Sequence, residues 1–213
     1  MCRAAAISAV IILQLFAAGR LSAQSPPADS PVAVAAASGL TVDQSPAAFE
    51  AVGDDGRPWL SAEHVGKKIV VFYFYPGDFT GGCINQAQAF REGLTRLEAL
   101  DVELVGVSGD SVATHQLFKS TYGLKHTLLA DPDGALAKQL GMPVQKGAKV
   151  RTRGPDGQPL LDGAGKSIMI ERGATLPRWT IVVGKDGKLL SKRMQVNPAT
   201  DADEVAKLVE AAK

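Results

Sequence analysis

Ile69-Val70-Val71-Phe72-Tyr73-Phe74-Tyr75 is an unbroken apolar, β-rich run, the pattern of a strand covered on both faces. Beyond Pro76 and Gly77 the period changes. From Cys83 to Leu100, apolar or small residues recur at Ala87, Phe90, Leu94, Leu97 and Leu100, which predicts an amphipathic helix beginning at the cysteine. Leu104–Ser108 reads as the next strand and Ser111–Tyr122 as the next helix, with Asp110 its expected cap. Thr127–Ala130 predicts a short third strand, the turn Asp131-Pro132-Asp133-Gly134 ends it, and Ala135–Leu140 supplies one or two helical turns. Trp179–Val183 and Lys188–Val196 flank Gly184-Lys185-Asp186-Gly187, a hairpin pattern. A last helix is expected over Asp201–Ala212, its acids early and Lys207 late, matching the helix dipole. Strands alternating with helices, then a hairpin and a helix, imply an α/β fold: a central mixed β-sheet flanked by helices.

Two segments do not follow this alternation. Between Met142 and Thr175 the chain is turn-rich, with Pro155-Asp156-Gly157 and Asp162-Gly163-Ala164-Gly165, and reads as one or two irregular hairpins inserted into the body. Lys146, Lys149, Arg151, Arg153, Lys166 and Arg172 face three acids there, so a solvated loop is expected, the alternative being a partner or dimer contact. At the other end, Arg3 precedes an apolar run from Ala4 to Ala18, and Leu21-Ser22-Ala23 offers a small-residue cleavage site. That is the layout of a secretory signal peptide over residues 1–23. The run is shorter than the ~20 residues of a spanning helix, which disfavours the alternative of a retained anchor. Residues 24–39 are Ala, Pro, Ser and Val with almost no charge, the composition of a flexible linker. Residues 40–213 then form one domain large enough to bury a core.

Charge adds exclusions. Twenty-three basic and 22 acidic residues leave a net charge of +1. A nucleic-acid partner would call for a basic face, so none is expected. His64, His115 and His126 are scattered without ligand spacing to one another or to Cys83, so no metal site is expected. His115, on a predicted helix face, reads as a packed or half-exposed residue, not a base.

Cysteine arithmetic narrows the chemistry. The sequence has two cysteines, and Cys2 would leave with the leader, so an exported chain would keep only Cys83. A lone cysteine in an exported protein means intermolecular pairing or a free reactive thiol. Its place between a buried strand and a helix favours the second. A thiol of ordinary pKa (~8.5) is mostly protonated at neutral pH, so reactivity requires something that stabilises the anion. Helix-start amides and the dipole are one source, and an arginine from elsewhere in the fold is another. Thr80 could aim its hydroxyl into the same pocket, and Pro76 could shield it. Taken singly, Pro76 is a strand terminator, Thr80 a helix cap and Cys83 a small buried residue. Taken together they spell Pro-x-x-x-Thr-x-x-Cys, three fixed positions that chance would place in a chain this long about 1 % of the time.

That motif, set between strand and helix, resembles the active-site signature of the peroxiredoxins. The similarity extends through Leu40–Pro58 as an N-terminal hairpin, Gly106-Val107-Ser108 with Asp110, Ser111 and His115, and the turns at Asp131–Gly134 and Gly184–Gly187. The Q-type, or bacterioferritin-comigratory, branch is the most similar. The resemblance implies a thioredoxin-like fold, no cofactor, and reduction of hydrogen peroxide and organic hydroperoxides through a Cys83 sulfenic acid. It gives Thr80 and the helix-start amides the peroxide oxygens to hold, with Pro76 beside them. Arg178, immediately before Trp179–Val183, takes the place of the family's second essential charge.

The chain also departs from that pattern. Gln88 stands where Q-type members often carry a resolving cysteine, Gln86 where a glutamate is common and Ile84 where a threonine is common; Pro177 and Trp179 are unusual neighbours for Arg178. Without a second thiol the sulfenate requires an external reductant: a thioredoxin-like protein, a glutaredoxin or a small thiol. A periplasmic or secreted one-cysteine peroxidase, monomer or homodimer and free of the membrane after cleavage, is the leading expectation. A thioredoxin-like thiol–disulfide carrier is one alternative, opposed by Thr80 where Cys-x-x-Cys would need a cysteine. A non-catalytic binding protein on the same fold is the other.

Overall fold

The computed structural model describes residues 39–212; the expected leader, and all of the expected linker but Gly39, lie outside the described residues. The fold is organised by strand β3 (Ile69–Phe74), six consecutive residues buried on both faces. Its side chains alternate between two cores. Ile69, Val71 and Tyr73 join one with Cys83, Phe90, Phe118 and Val205, whereas Val70, Phe72 and Phe74 join the other with Trp59, Leu136 and Ile181. This two-sided burial is why the run carries no polar position.

Around β3 runs a seven-stranded sheet in the order β11-β10-β3-β4-β5-β1-β2. Strands β4 (Val102–Ser108) and β5 (Thr127–Ala130) are parallel to β3. Strands β10 (Trp179–Val183) and β11 (Leu189–Arg193) pair antiparallel on one side. The hairpin β1 (Glu50–Gly53) and β2 (Pro58–Leu60) closes the other edge, with β1 antiparallel to β5. Helices α1 (Gly81–Ala99), α2 (Val112–Tyr122), α3 (Ala135–Gln139) and α4 (Asp201–Ala211) complete the layers. Among the described residues no helix is long and apolar enough to cross a membrane.

Two local expectations are corrected. Helix α1 begins at Gly81, so Cys83 lies within its first turn and not at its first residue. The cap of α2 is Ser111, whose hydroxyl accepts from the Thr114 amide at 3.3 Å. Asp110 is turned inward instead, accepting the Ser108 hydroxyl at 2.8 Å. A short hydroxyl next to the first turn satisfies the orphan amide and frees the carboxylate for the interior.

The 142–175 excursion is a pair of nested ladders. Strand β6 (Gln145–Lys146) pairs with β9 (Ala174–Thr175), and β7 (Lys149–Arg151) pairs with β8 (Met169–Glu171). Its tip is mostly exposed, but its base is welded to the body. The Gly173 amide donates to Gly109 O at 3.0 Å, and a Cβ on Gly109 would lie 2.1 Å from the Ala174 carbonyl oxygen. Ile170 and Ala174 enter the two cores.

One buried base gives the fold an acid limit. His126 bonds to the Tyr73 hydroxyl at 2.7 Å, and burial, then Lys119, hold its pKa down from 6.5 to about 3. The unfolded chain therefore binds this proton first. The stability it contributes is fully present above pH 6.5 and is lost as pH falls toward about 3. Chemical denaturation of His126→Gln against the parent should show the parent losing roughly 1.4 kcal/mol more per pH unit below its unfolded titration point. Parallel pH curves would contradict this placement.

Candidate active site

The segment between β3 and α1 is shaped by a strained residue and a glycine. Phe79 has φ 60°, a left-handed conformation that costs a bulky residue about 1–2 kcal/mol. Its ring is buried at 1 % exposure and meets Phe118 edge-on at 5.1 Å, which holds the backbone there. Gly77 has φ 153°, and a Cβ on it would lie 2.1 Å from Arg172 Cζ. The guanidinium occupies that space: Arg172 Nη1 donates to Pro76 O at 2.8 Å and Nη2 to Asp78 O at 3.0 Å. The expectation of a solvated basic loop fails for Arg172. It is buried at 4 % exposure and clamps the turn that leads to Cys83.

Beneath that turn lies a closed polar cluster. Asp78 accepts from the Tyr75 hydroxyl at 2.8 Å and bonds His115 Nδ1 at 2.8 Å. The Asp78 amide donates to Asp110 Oδ2 at 2.7 Å. Asp110 Oδ1 and Arg172 Nε lack hydrogen-bond partners but face each other at 3.6 Å, an ion pair too long for a hydrogen bond. Burial and then Asp78 push the Asp110 carboxyl up from 3.8 to about 6, against the pull of Arg172. Burial draws the His115 pKa down, but Asp78, then Asp110 and the Leu129 carbonyl outweigh it, so the imidazole is raised above 6.5. His115 is fully buried, and its ring bonds only Asp78 and Leu129 O, placing it in the support of the turn.

The turn delivers Thr80 to the N-cap position of α1, where its side chain makes no cap bond. Its hydroxyl donates to Gly77 O at 2.9 Å. A carbonyl only accepts, so the Thr80 proton is committed and the oxygen's lone pairs remain available. The amides of Gly81 and Gly82 belong to the first turn and have no intrahelical carbonyl to meet. Cys83 follows, 1 % exposed. Arg178, half-buried and immediately before β10, sets Nη2 3.3 Å from Cys83 Sγ. Its other terminal nitrogen, Nη1, donates to Gln86 Oε1, one turn along α1. Gln86 Nε2 donates to Asp201 Oδ2 at 2.7 Å, an oxygen that also accepts the Thr180 hydroxyl at 2.7 Å. Asp201 Oδ1 accepts from Arg193 Nη1 at 2.9 Å.

Of the residues singled out from sequence, Cys83 and Arg178 are in direct contact. Thr80 stands three residues before the sulfur, and Pro76 forms the start of the clamped turn. Sequence reasoning missed Asp78, Asp110, Arg172 and Asp201 as parts of the site's frame. The only hint was chemical: an aspartate inside a Pro/Gly turn and another at a strand end are poor residues to bury unless paired. Among the described residues no group of His, Cys, Asp or Glu is placed to hold a metal ion.

The site is thus a buried thiol in the first turn of a helix, faced by an arginine that precedes an antiparallel strand of the same sheet. Residues 42–191 match the AhpC/TSA family, and the chain belongs to it. The chain is 39 % identical over 104 residues to a chloroplastic peroxiredoxin Q from Sedum lineare, covering 49 % of this chain and 55 % of that protein. It is also 39 % identical over 107 residues to a putative peroxiredoxin bcp from Coxiella burnetii, covering 50 % of this chain and 70 % of that protein. The match thus spans little more than half the length of the peroxiredoxin Q relative. Peroxidoxin BcpB from Mycobacterium tuberculosis has a similar fold, with TM-score 0.64 at 24 % identity over 82 % of this chain and 99 % of the other. So has the Xanthomonas campestris bacterioferritin comigratory protein, studied for alkyl peroxide reduction, with TM-score 0.60 at 23 % identity over 77 % and 91 %.

Removing Arg172 takes away the guanidinium that faces buried Asp110. Arg172→Ala should lose about 3 kcal/mol or more by urea denaturation. With its compensating charge gone, the Asp110 pKa rises further. A raised carboxyl stabilises the fold below 3.8, and that contribution is lost as pH climbs through about 6. The deficit of Arg172→Ala should therefore be larger at alkaline than at acid pH. Equal deficits at both would show that Arg172 does not neutralise Asp110.

Proposed function

We propose that this protein is a thiol-dependent peroxidase in which Cys83 reduces hydrogen peroxide and organic hydroperoxides. The observation that carries the reading is the Arg178 guanidinium 3.3 Å from the buried Cys83 sulfur. An always-protonated donor at that distance stabilises the thiolate, and it stands where negative charge develops as the O–O bond breaks. Thr80, with its proton committed to Gly77 O, can accept a hydrogen bond from the peroxide O–H. The Gly81 and Gly82 amides add donors on the same side.

The sulfur attacks the hydroxyl oxygen of the peroxide. An S–O bond forms as the O–O bond breaks, the alkoxide or hydroxide leaves and takes a proton, and the sulfur is oxidised by two electrons to a sulfenic acid. One molecule of external thiol then displaces water to give a mixed disulfide, and a second releases the Cys83 thiol. An external donor, whether thioredoxin-like protein, glutaredoxin or small thiol, is supported by Gln88 standing where a resolving cysteine would be and by Cys83 being the free cysteine of the described residues. The leader-like residues 1–23 support export to the periplasm or beyond, with a monomer or homodimer acting there. The carrier alternative is opposed by Thr80, which occupies the position a Cys-x-x-Cys pair would need, and the binding-protein alternative by the presence together of Pro76, Thr80, Cys83 and Arg178.

Peroxide consumption with an excess of dithiol should vanish in Cys83→Ser. Loss of a preorganised donor at the reacting charge costs about 10²–10³-fold, so Arg178→Ala should slow Cys83 oxidation by that order, and Thr80→Val by a smaller factor. Undiminished peroxidase activity in Cys83→Ser would remove the proposal.

A further inference from the structure

Arg178 is itself held, and the hold runs through an amide that has two chemically different ends. Gln86 is fully buried. Its Oε1 accepts from Arg178 Nη1, and its Nε2 donates to Asp201 Oδ2 at 2.7 Å. Asp201, the first residue of α4, is likewise fully buried and accepts three bonds: Gln86 and Thr180 on Oδ2, Arg193 on Oδ1. Arg193 pairs with Glu204 as well, and it lies opposite Thr180 in the β10–β11 ladder.

An ionised carboxylate is an acceptor only, whereas a glutamine amide can face either way. With Asp201 on one side, the Gln86 NH₂ must turn toward it, and the carbonyl oxygen then faces Arg178. The reverse orientation would set N–H groups against a guanidinium that has no acceptor, and a carbonyl against a carboxylate. We propose that Asp201 is a positioning residue for this site: it fixes the orientation of the Gln86 amide and thereby keeps the Arg178 guanidinium on the Cys83 sulfur. This inference rests on the peroxidase reading for its kinetic consequence. Burial leaves the Asp201 pKa raised above 3.8, although hydrogen bonds from Thr180 and Gln86 and the charges of Arg193 and Arg178 oppose the rise.

The relay also dictates which substitution should repair it. In Asp201→Asn one side of the new amide donates, so either Gln86 Nε2 or Arg193 Nη1 meets an N–H group where it had an acceptor, and the bond that backs Gln86 is no longer assured. Gln86→Glu alone sets a second carboxylate against the buried one. Together, Glu at 86 accepts from Arg178 and from the Asn amide, and the chain of donors is complete again.

The experiment measures Cys83 oxidation by hydrogen peroxide in rapid mixing and, in the same reduced proteins, the solvent exchange of the Gln86 side-chain amide by NMR. Asp201→Asn and Gln86→Glu should each be slower by about tenfold or more, a loss of the size set by one buried charged hydrogen bond. The double variant should return to within about threefold of the parent, a recovery that a purely structural role for Asp201 would not produce. The Gln86 amide should be protected in the parent and lose protection in Asp201→Asn. A double variant no faster than the slower single variant would overturn the proposal, as would a parental rate in Asp201→Asn. If Asp201→Asn fails to fold, Gln86→Met decides: it leaves Asp201 with Thr180 and Arg193, a comparable slowing supports the relay, and a parental rate overturns it. A parent that does not react with peroxide would defeat the peroxidase reading instead, and the Gln86 amide signal would then judge the relay alone.

Discussion

A positively charged guanidinium 3.3 Å from a sulfur that is 1 % exposed is the contact on which the rest of this structure converges. Neither partner reaches that place through local sequence. Cys83 is carried there by the turn after β3, and Arg178 by the first residue before an antiparallel neighbour of the same strand. Pairing of β10 with β3 sets Trp179 opposite Phe74, so the arginine emerges beside the end of β3 where the turn begins. The sheet register thus brings the backbone of the cation close to that of the sulfur.

Two polar frames hold the pair, one on each side. The first lies under the turn: Asp78, Asp110, His115 and Arg172 are each buried, and each answers another's charge or hydrogen-bonding capacity. Burying four such groups is unfavourable unless they pair; Asp110 Oδ1 and Arg172 Nε meet only as an ion pair at 3.6 Å, the remaining bonds run within the cluster and to the turn, and the set gives the turn one conformation. That conformation includes a left-handed Phe79 and a Gly77 that leaves room for the Arg172 guanidinium. The second frame runs from Arg178 through Gln86 to Asp201 and joins α1, β10, β11 and α4. The turn frame aims the sulfur, and the helix frame aims the charge.

What could be read in advance followed from periodicity. The seven-residue apolar run that contains β3, the 3.6-residue pattern of α1 and the hairpin around Gly184–Gly187 are local signals, and each element appears within a few residues of its expected bounds. Cys83 and Arg178, which the structure brings into contact, stand out in the sequence because one falls in a motif and the other at a strand edge. The polar frames were not, because their spacing in sequence carries no information: Gln86 and Asp201 are 115 residues apart, and Arg172 and Asp78 are 94 apart. Arg172 was the clearest loss. Its basic neighbours in a turn-rich segment give it the look of a solvated side chain, and contacts distant in sequence, among them Gly173 N to Gly109 O and the burial of Ile170 and Ala174, bring it inside. Asp110 misled in a related way, since an aspartate before a helix is a good cap, but Ser111 was the nearer oxygen.

The most direct test of the account is the second-order rate at which hydrogen peroxide oxidises Cys83 in the reduced protein, compared with free cysteine under the same conditions. A buried sulfur backed by a guanidinium and helix-start amides should react at least ~10³-fold faster than the free amino acid, given what preorganised charge stabilisation contributes to such steps. A rate no greater than that of free cysteine would contradict the claim that Arg178 and the first turn of α1 activate this sulfur.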